Sequence, residues 1–211
     1  MSRVFWNLIA NRYAKQPVAA PDTYQAKLDL TRQYLQPDMR VLEVGCGTGS
    51  TALAHAEYVE HILATDYSQK MIDIARQKAQ AAAVTNVEFQ VATLDGRLNG
   101  TQGKIEGAAD FDAVLALNIL HLAPDLGEAL KQINARLHAG GLLISSTPCL
   151  QDRTKFVPLL KLAGSLRLIP RVNILTLEQL FSAIQSAGFV SEHVTTFNDD
   201  MVHFSVMRKS T

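Results

Sequence analysis

The sequence predicts a doubly wound α/β domain: a mostly parallel, seven-stranded sheet with helices on both faces and a C-terminal antiparallel hairpin. Three observations carry this. Short runs rich in Val, Ile, Leu and Phe alternate with longer segments whose apolar residues recur every three to four positions. The first such run, Val41-Leu42-Glu43-Val44, enters three alternating glycines at Gly45, Gly47 and Gly49 and then a helical segment. The last two runs are separated only by Asn198-Asp199-Asp200, a polar turn suited to a hairpin. A chain of 211 residues fits one domain with a single sizeable core.

In chain order, Phe5, Leu8, Ile9 and Tyr13, with Trp6 alongside, predict a helix within residues 1–15. A second helix over 24–35 turns Leu28, Leu30, Thr31 and Leu35 inward, and the two helices are expected to cover one edge of the sheet. Pro37-Asp38 turns the chain into strand one, 40–44, and Ile62-Leu63-Ala64-Thr65 forms strand two. Ser68 is placed to N-cap a helix over 69–83 that buries Met71, Ile72, Ala75, Ala79 and Ala82. Strand three follows at 87–91, then a polar, glycine-containing loop over 96–109. Residues 111–117 are apolar throughout apart from Asp112, as a strand buried on both faces requires. Pro124-Asp125 opens a helix whose Leu126, Ala129, Leu130, Ile133 and Leu137 keep one face and which Gly140-Gly141 stops. Strand five is expected at 142–147.

Residues 149–175 break the alternation. Their apolar stretch, interrupted by Pro158 and Pro170 and dotted with Lys155, Lys161, Arg167 and Arg171, admits three readings: a helix on the sheet edge, a lid on a substrate pocket, or a membrane-surface helix. Thr176 and Gln179 have capping-box spacing ahead of a helix burying Leu177, Leu180, Phe181 and Ile184, which Gly188 ends. The hairpin strands occupy 189–197 and 201–208. The domain divides into an N-terminal helical cap (1–36), a cofactor-binding core (37–147), a lid or insertion (148–175) and a C-terminal helix and hairpin (176–211).

Composition excludes several classes. With 47% hydrophobic and 19% charged residues the chain is not disordered. Twenty basic and twenty acidic residues cancel without a basic run, which disfavours a polynucleotide substrate. Cys46 and Cys149 make neither a disulfide framework nor a metal cluster. Residues 1–6 lack a signal-peptide layout and no apolar run nears the ~20 residues of a membrane span, so the expectation is a reduced, cytoplasmic protein without an integral membrane segment.

The strand, glycine turn and helix start form the arrangement that lets backbone approach a nucleotide. Asp66 ends strand two, seventeen residues after Gly49, where an acid can hydrogen-bond a ribose. A G-x-G-x-x-G dinucleotide fingerprint would need glycine where Ser50 stands. Glu43 lies two residues before the first glycine, and no Lys or Arg occurs from 41 through 69. A pyrophosphate would be repelled there, whereas a ligand with a sulfonium and an ammonium would be attracted; at ~4 Å and an effective dielectric near 20, one such charge pair is worth roughly 4 kcal/mol.

These residues resemble the class I, Rossmann-like S-adenosylmethionine-dependent methyltransferase family, small-molecule type. Leu42-Glu43-Val44-Gly45-Cys46-Gly47-Thr48-Gly49 looks like its first motif and Thr65-Asp66-Tyr67-Ser68 like its second. The resemblance implies S-adenosyl-L-methionine as cofactor, with contacts from Glu43, Gly45, Cys46, Gly47, Gly49, Asp66, Tyr67, Met71, Thr93, Leu94 and Asn118. It also implies that the N-terminal helices cover the cofactor, with Tyr13 in reach. Tyr67 and Met71 serve equally well as core, and Cys46 reads as a small filler. Where the family often has Gly-Asp-Ala after strand three, this chain has Ala92-Thr93-Leu94; the adenine contact then falls to the Leu94 backbone or to Asp95. Methyl transfer from a sulfonium is an in-line displacement that needs alignment and exclusion of water. A base is needed only if the acceptor carries a proton, and His121, just past strand four, is the candidate catalytic residue beside the alternative that it bonds its own loop. The expected function is methyl transfer to a small, partly apolar acceptor at oxygen, nitrogen or carbon. The alternatives are a non-catalytic S-adenosylmethionine-binding protein and a NAD-dependent oxidoreductase.

Overall fold

The protein is described here from a computed structural model, which covers residues 3–18, 20–93, 111–149, 172–197 and 202–211. Seven strands form one sheet: β1 (Arg40–Val44), β2 (His61–Asp66), β3 (Val87–Val91), β4 (Phe111–Leu117), β5 (Leu137–Pro148), β6 (Phe189–Phe197) and β7 (Val202–Lys209). Their spatial order is β3-β2-β1-β4-β5-β7-β6. The first five run parallel, and β7 inserts antiparallel between β5 and β6, so the C-terminal hairpin folds back into the sheet instead of extending it. The strand order reverses between β1 and β4, which opens a crevice above their carboxyl ends.

Alternation along the central strands splits the core into two layers. Val41, Ile62, Leu115, Ile144 and Phe204 face one side, where Ala52 of α3 (Ser50–His55) and Ile72 and Ala75 of α4 (Gln69–Ala81) cover them. Leu42, Val44, Val114 and Leu143 face the other, under Leu130 and Ile133 of α5 (Leu126–Arg136) and Leu180 and Ile184 of α6 (Leu177–Ser186). Each fully buried Leu or Ile contributes about 1.5–3 kcal/mol.

The caps act as their residue types predict. Ser68 Oγ accepts from the Met71 N–H at the start of α4. Asp125 accepts from the Glu128 N–H at 2.9 Å. At α6 the Gln179 N–H donates to Thr176 Oγ1 and the Thr176 N–H donates to Gln179 Oε1, both at 3.1 Å, completing the capping box.

Four expectations need correction. α5 ends at Arg136, not at Gly140-Gly141; Leu137 continues the apolar spacing by coincidence and opens β5, paired with Phe111. Strand pairing outweighs one more helical turn there, and Gly140 absorbs the irregularity with φ +76°. α2 (Pro21–Arg32) starts and stops earlier than 24–35, so Leu35 is buried from the loop beyond it. α4 stops at Ala81, leaving Ala82 exposed. In α1 (Arg3–Lys15), Leu8 is 76% exposed, while Ala10 is buried and Phe5, Trp6 and Ile9 are half-buried.

The reason for the turn of α1 is polar. Ser68 Oγ donates to Asn7 Oδ1 at 2.6 Å, and the Lys70 N–H reaches the same oxygen at 3.3 Å. α1 therefore lies against α4, above the crevice, instead of along a sheet edge. The loop expected over 96–109, most of 148–175 with its three readings, the turn at Asn198-Asp199-Asp200, and Leu94 and Asp95 lie outside the described residues. Among the described residues no helix is long and apolar enough to cross a membrane.

Ser68→Ala removes a helix cap and the tether to Asn7 together. Urea unfolding followed by circular dichroism should show a loss of about 1–2 kcal/mol. A change within error would mean that neither bond contributes.

Candidate functional site

The first two strands and the turn between β1 and α3 build the floor of the crevice. The turn is left-handed at all three glycines, and each needs its missing side chain for a different reason. A Cβ on Gly45 would lie 2.6 Å from the Ile119 side chain, and one on Gly49 would lie 2.7 Å from the Phe89 ring and 2.8 Å from Ala75. A Cβ on Gly47 would meet only Tyr13, at 3.9 Å. Gly47 thus faces open space, whereas Gly49 is a packing glycine at the α3 N-cap and does not line the cavity.

Asp66 holds this turn in place. Its Oδ2 accepts from the Gly47 N–H at 3.1 Å and its Oδ1 from the Ser68 N–H at 2.8 Å. Each carboxylate oxygen has two acceptor sites, so one on each remains for a ligand hydroxyl. Burial raises the Asp66 pKa, while these two backbone bonds pull it down.

Glu43 projects into the same cavity, 3% exposed, and its Oε2 has no hydrogen-bond partner among the described residues. Burial first, and the Asp66 charge second, push its carboxyl up to about 8, against a backbone N–H at Ala52. A free carboxylate at this position is therefore unfavourable, and a cation brought beside it would restore the ionised form.

The cavity, about 510 Å³, is of a size that takes a cofactor. Of the residues singled out in the sequence, Glu43, Gly45, Cys46, Gly47, Asp66, Tyr67, Met71 and Asn118 line it. Gly49, Thr93 and His121 are not among the lining residues, and Leu94 lies outside the described residues. Asn118 leaves β4 with φ +57°, held by its N–H on the Ser146 carbonyl at 2.7 Å. The Cys46 thiol is raised well above its usual range, by burial and then by Glu43 and Asp66, so it remains a protonated filler.

His121 sits in a short 3₁₀ turn (Leu120–Leu122), where its carbonyl accepts from the Asn173 N–H at 2.7 Å. Its neighbours Ile119 and Leu122 reach the cavity. Burial lowers its imidazole to about 4, which makes it a weak proton acceptor at neutral pH. Its side chain is not among those that line the cavity, and it is a weaker base than an ordinary histidine.

Sequence reasoning missed residues that arrive from elsewhere. Lys78 of α4 lines the cavity and donates to Thr48 Oγ1 at 2.9 Å and Ser50 Oγ at 3.0 Å, so the turn is not free of cations as the 41–69 window suggested. Its spacing of seven from Met71, two helical turns on the same face, was the available signal. From α2, Tyr24, Lys27 and Thr31 form one stripe of the roof, and Trp6 and Tyr13 of α1 close it. Among the described residues no cluster could hold a metal ion.

Residues 35–191 match a family described as a methyltransferase domain. The chain belongs to this methyltransferase domain family. It is 29% identical over 109 residues to the ubiquinone biosynthesis O-methyltransferase of Methylocella silvestris, covering 52% of the chain and 40% of that enzyme. It is 31% identical over 102 residues to the magnesium-protoporphyrin O-methyltransferase of Rhodobacter capsulatus, covering 47% and 42%. The matched stretches thus span less than half of these curated relatives. In fold it is similar to the [4+2]-cyclase SpnF, with a TM-score of 0.73, 19% identity and coverage of 93% of this chain and 85% of that one.

The family and fold imply S-adenosyl-L-methionine as the cofactor of this methyltransferase-family chain. The residues fit it: a buried Glu43 carboxyl whose Oε2 has no partner among the described residues, for its cationic end, two free acceptor sites on Asp66 for hydroxyls, and open space at Gly47 for close backbone approach. The nicotinamide alternative loses to that match.

Glu43 also predicts a pH dependence. Its folded pKa, about 8 against an ordinary 4.5, makes the native state hold a proton that the unfolded chain releases, so stability falls as pH rises through that window. His55, wholly buried and lowered to about 4 by burial and then by Arg32, acts oppositely with His121, but both effects end near the ordinary imidazole value of 6.5. Of these three groups only Glu43 acts between about pH 6.5 and 8, so it should lower the melting temperature of the ligand-free protein there. Glu43→Gln should abolish that drop. An equal drop in the variant would place its cause elsewhere.

Proposed function

We propose that the chain is a cytoplasmic S-adenosylmethionine-dependent methyltransferase acting on a small, partly apolar acceptor. Oxygen is the first acceptor atom, because two relatives carry O-methyltransferase in their names; nitrogen and carbon are the alternatives. The observation that carries the reading is the buried Glu43 carboxyl, whose Oε2 has no partner among the described residues and which shares one cavity with Asp66 and the open side of Gly47.

Bound there, S-adenosylmethionine supplies a methyl carbon already activated by positive sulfur. What falls to this chain is placement. Glu43 neutralises the cationic end, Asp66 grips the sugar hydroxyls, and Asn118 presents backbone where β4 ends. Tyr67 and Met71 flank the ligand on the β2–α4 side, while Trp6 and Tyr13 keep water out from above. No histidine is among the described lining residues, which fits an acceptor that is already nucleophilic at working pH. The same observation favours a second reading, a chain that binds S-adenosylmethionine without transferring the methyl. Extracts incubated with methyl-labelled cofactor separate the two, since only the first labels a small molecule.

Calorimetry with S-adenosylmethionine, S-adenosylhomocysteine and NAD should give binding by the first two and none by the third. Asp66→Ala should weaken that binding by about 1.5–3 kcal/mol. Gly47→Val should block it while the circular dichroism spectrum stays native. At pH 7 each S-adenosylmethionine bound should release close to one proton, because a cation beside Glu43 drives it to the carboxylate. Titrations in buffers of different ionisation enthalpy read this directly, and Glu43→Gln should erase it. Normal binding by both the Asp66 and Gly47 variants would put the cofactor elsewhere.

A further inference from the structure

The cavity reaches beyond the residues that the cofactor needs. Its far end is built where β4 and β5 finish and β7 begins, with Lys27 of α2 among the lining residues. Ser146 lies near the tip of β5, directly opposite Leu117 of β4 and Phe204 of β7, so these side chains share one face of the sheet. Ser146 is fully buried and lines the cavity, yet its Oγ has no hydrogen-bond partner among the described residues. An isolated hydroxyl in such a place is costly until something accepts from it.

Above this face lies a half-buried lysine. The Phe204 ring meets Phe197 edge-on at 6.4 Å, and Lys27 Nζ stands 5.6 Å from the centre of Phe197. Lys27 also lines the cavity, and among the described residues no carboxylate pairs with it. Lys78, by contrast, spends its donors on Thr48 and Ser50. Leu117, Leu122 and Val202 add apolar lining to the cavity, with Thr31 one turn along α2 from Lys27. Burial lowers the Lys27 pKa, and an anion placed beside it would restore the charge.

We propose that this end of the cavity is the acceptor subsite and that it selects a small carboxylic acid with an apolar body. Lys27 is the counter-ion of its carboxylate, Ser146 donates a hydrogen bond to it, and the Leu117–Val202 wall takes its apolar part. This assignment rests on the methyltransferase reading above, since it fixes which end of the cavity the donor occupies. It narrows the acceptor from any small, partly apolar molecule to an anionic one. The sequence holds a single tryptophan, Trp6, and it lines the cavity, so its fluorescence reports occupancy without turnover.

Benzoate, benzyl alcohol and benzylamine offer one apolar body with negative, neutral and positive heads. Titrated into the full chain with and without saturating S-adenosylhomocysteine, benzoate should bind about tenfold more tightly than either of the others, the scale of one charge-assisted hydrogen bond. Lys27→Met should erase that preference, Lys27→Arg should keep most of it, and Ser146→Ala should weaken benzoate a few-fold without lowering the melting temperature of the ligand-free protein. Equal binding of the three probes, or an unchanged preference in Lys27→Met, overturns the proposal. So does a Lys27→Met variant that loses S-adenosylhomocysteine affinity while retaining benzoate, because the lysine would then serve the donor's own carboxylate. If wild-type protein fails to bind S-adenosylhomocysteine, the methyltransferase reading falls, whereas the benzoate series on the ligand-free protein still decides what Lys27 recognises.

Discussion

The clasp of Asp66 on the glycine turn is the constraint from which the site follows. A turn of three left-handed glycines has little conformational preference of its own; the Gly49 N–H bonds the Cys46 carbonyl within it, but the Gly47 N–H is directed from outside. The Asp66 carboxylate takes one N–H from that turn and one from the start of α4, so a single group at the tip of β2 sets both. The clasp lies beside the point where the strand order reverses, the one place in such a sheet where neighbouring connections diverge and leave a crevice. It also leaves acceptor capacity on both oxygens, which is how a structural bond and a ligand contact coexist in one residue.

Around this clasp the charges are left in tension. Glu43 and Asp66 line one cavity, both buried, and among the described residues no cation pairs with Glu43. Lys78 comes near but donates to hydroxyls of the turn. A pocket that holds a carboxyl above its ordinary pKa is less stable without a ligand than a neutral one would be, and correspondingly more receptive to a cationic ligand. Stability is given up where binding needs it.

The roof is fastened by polar contacts, not by a broad apolar interface. α1 leaves Val4, Leu8 and Tyr13 substantially exposed and is anchored through Asn7 to the cap of α4. α2 is tied to α3 by the bond between Tyr24 Oη and Thr51 Oγ1 at 3.3 Å. Elements with few buried apolar contacts open at lower free energy than the sheet beneath them. That arrangement suits a cavity whose ligand must enter and leave from above.

Much of this was legible in the residues themselves. The seven strands, the switch-point turn, the Ser68 and Asp125 caps and the Thr176–Gln179 box follow from period, turn chemistry and capping preferences, all of which act over a few residues. That Glu43, Gly47 and Asp66 line one cavity was likewise readable, because all three stand at or just past the ends of two neighbouring strands. Where α5 ends was not, since strand pairing across the sheet claimed Leu137 from a spacing that local periodicity assigned to the helix. The division of labour among the glycines depended on Ile119, Phe89 and Ala75, which reach them from other segments of the chain. Lys27, Lys78 and Ser146 stand in the sequence as an ordinary surface-type lysine on each of two helices and a serine in a strand. Only the fold gives them meaning, because burial and the charge of a neighbour are properties of space and not of order along the chain.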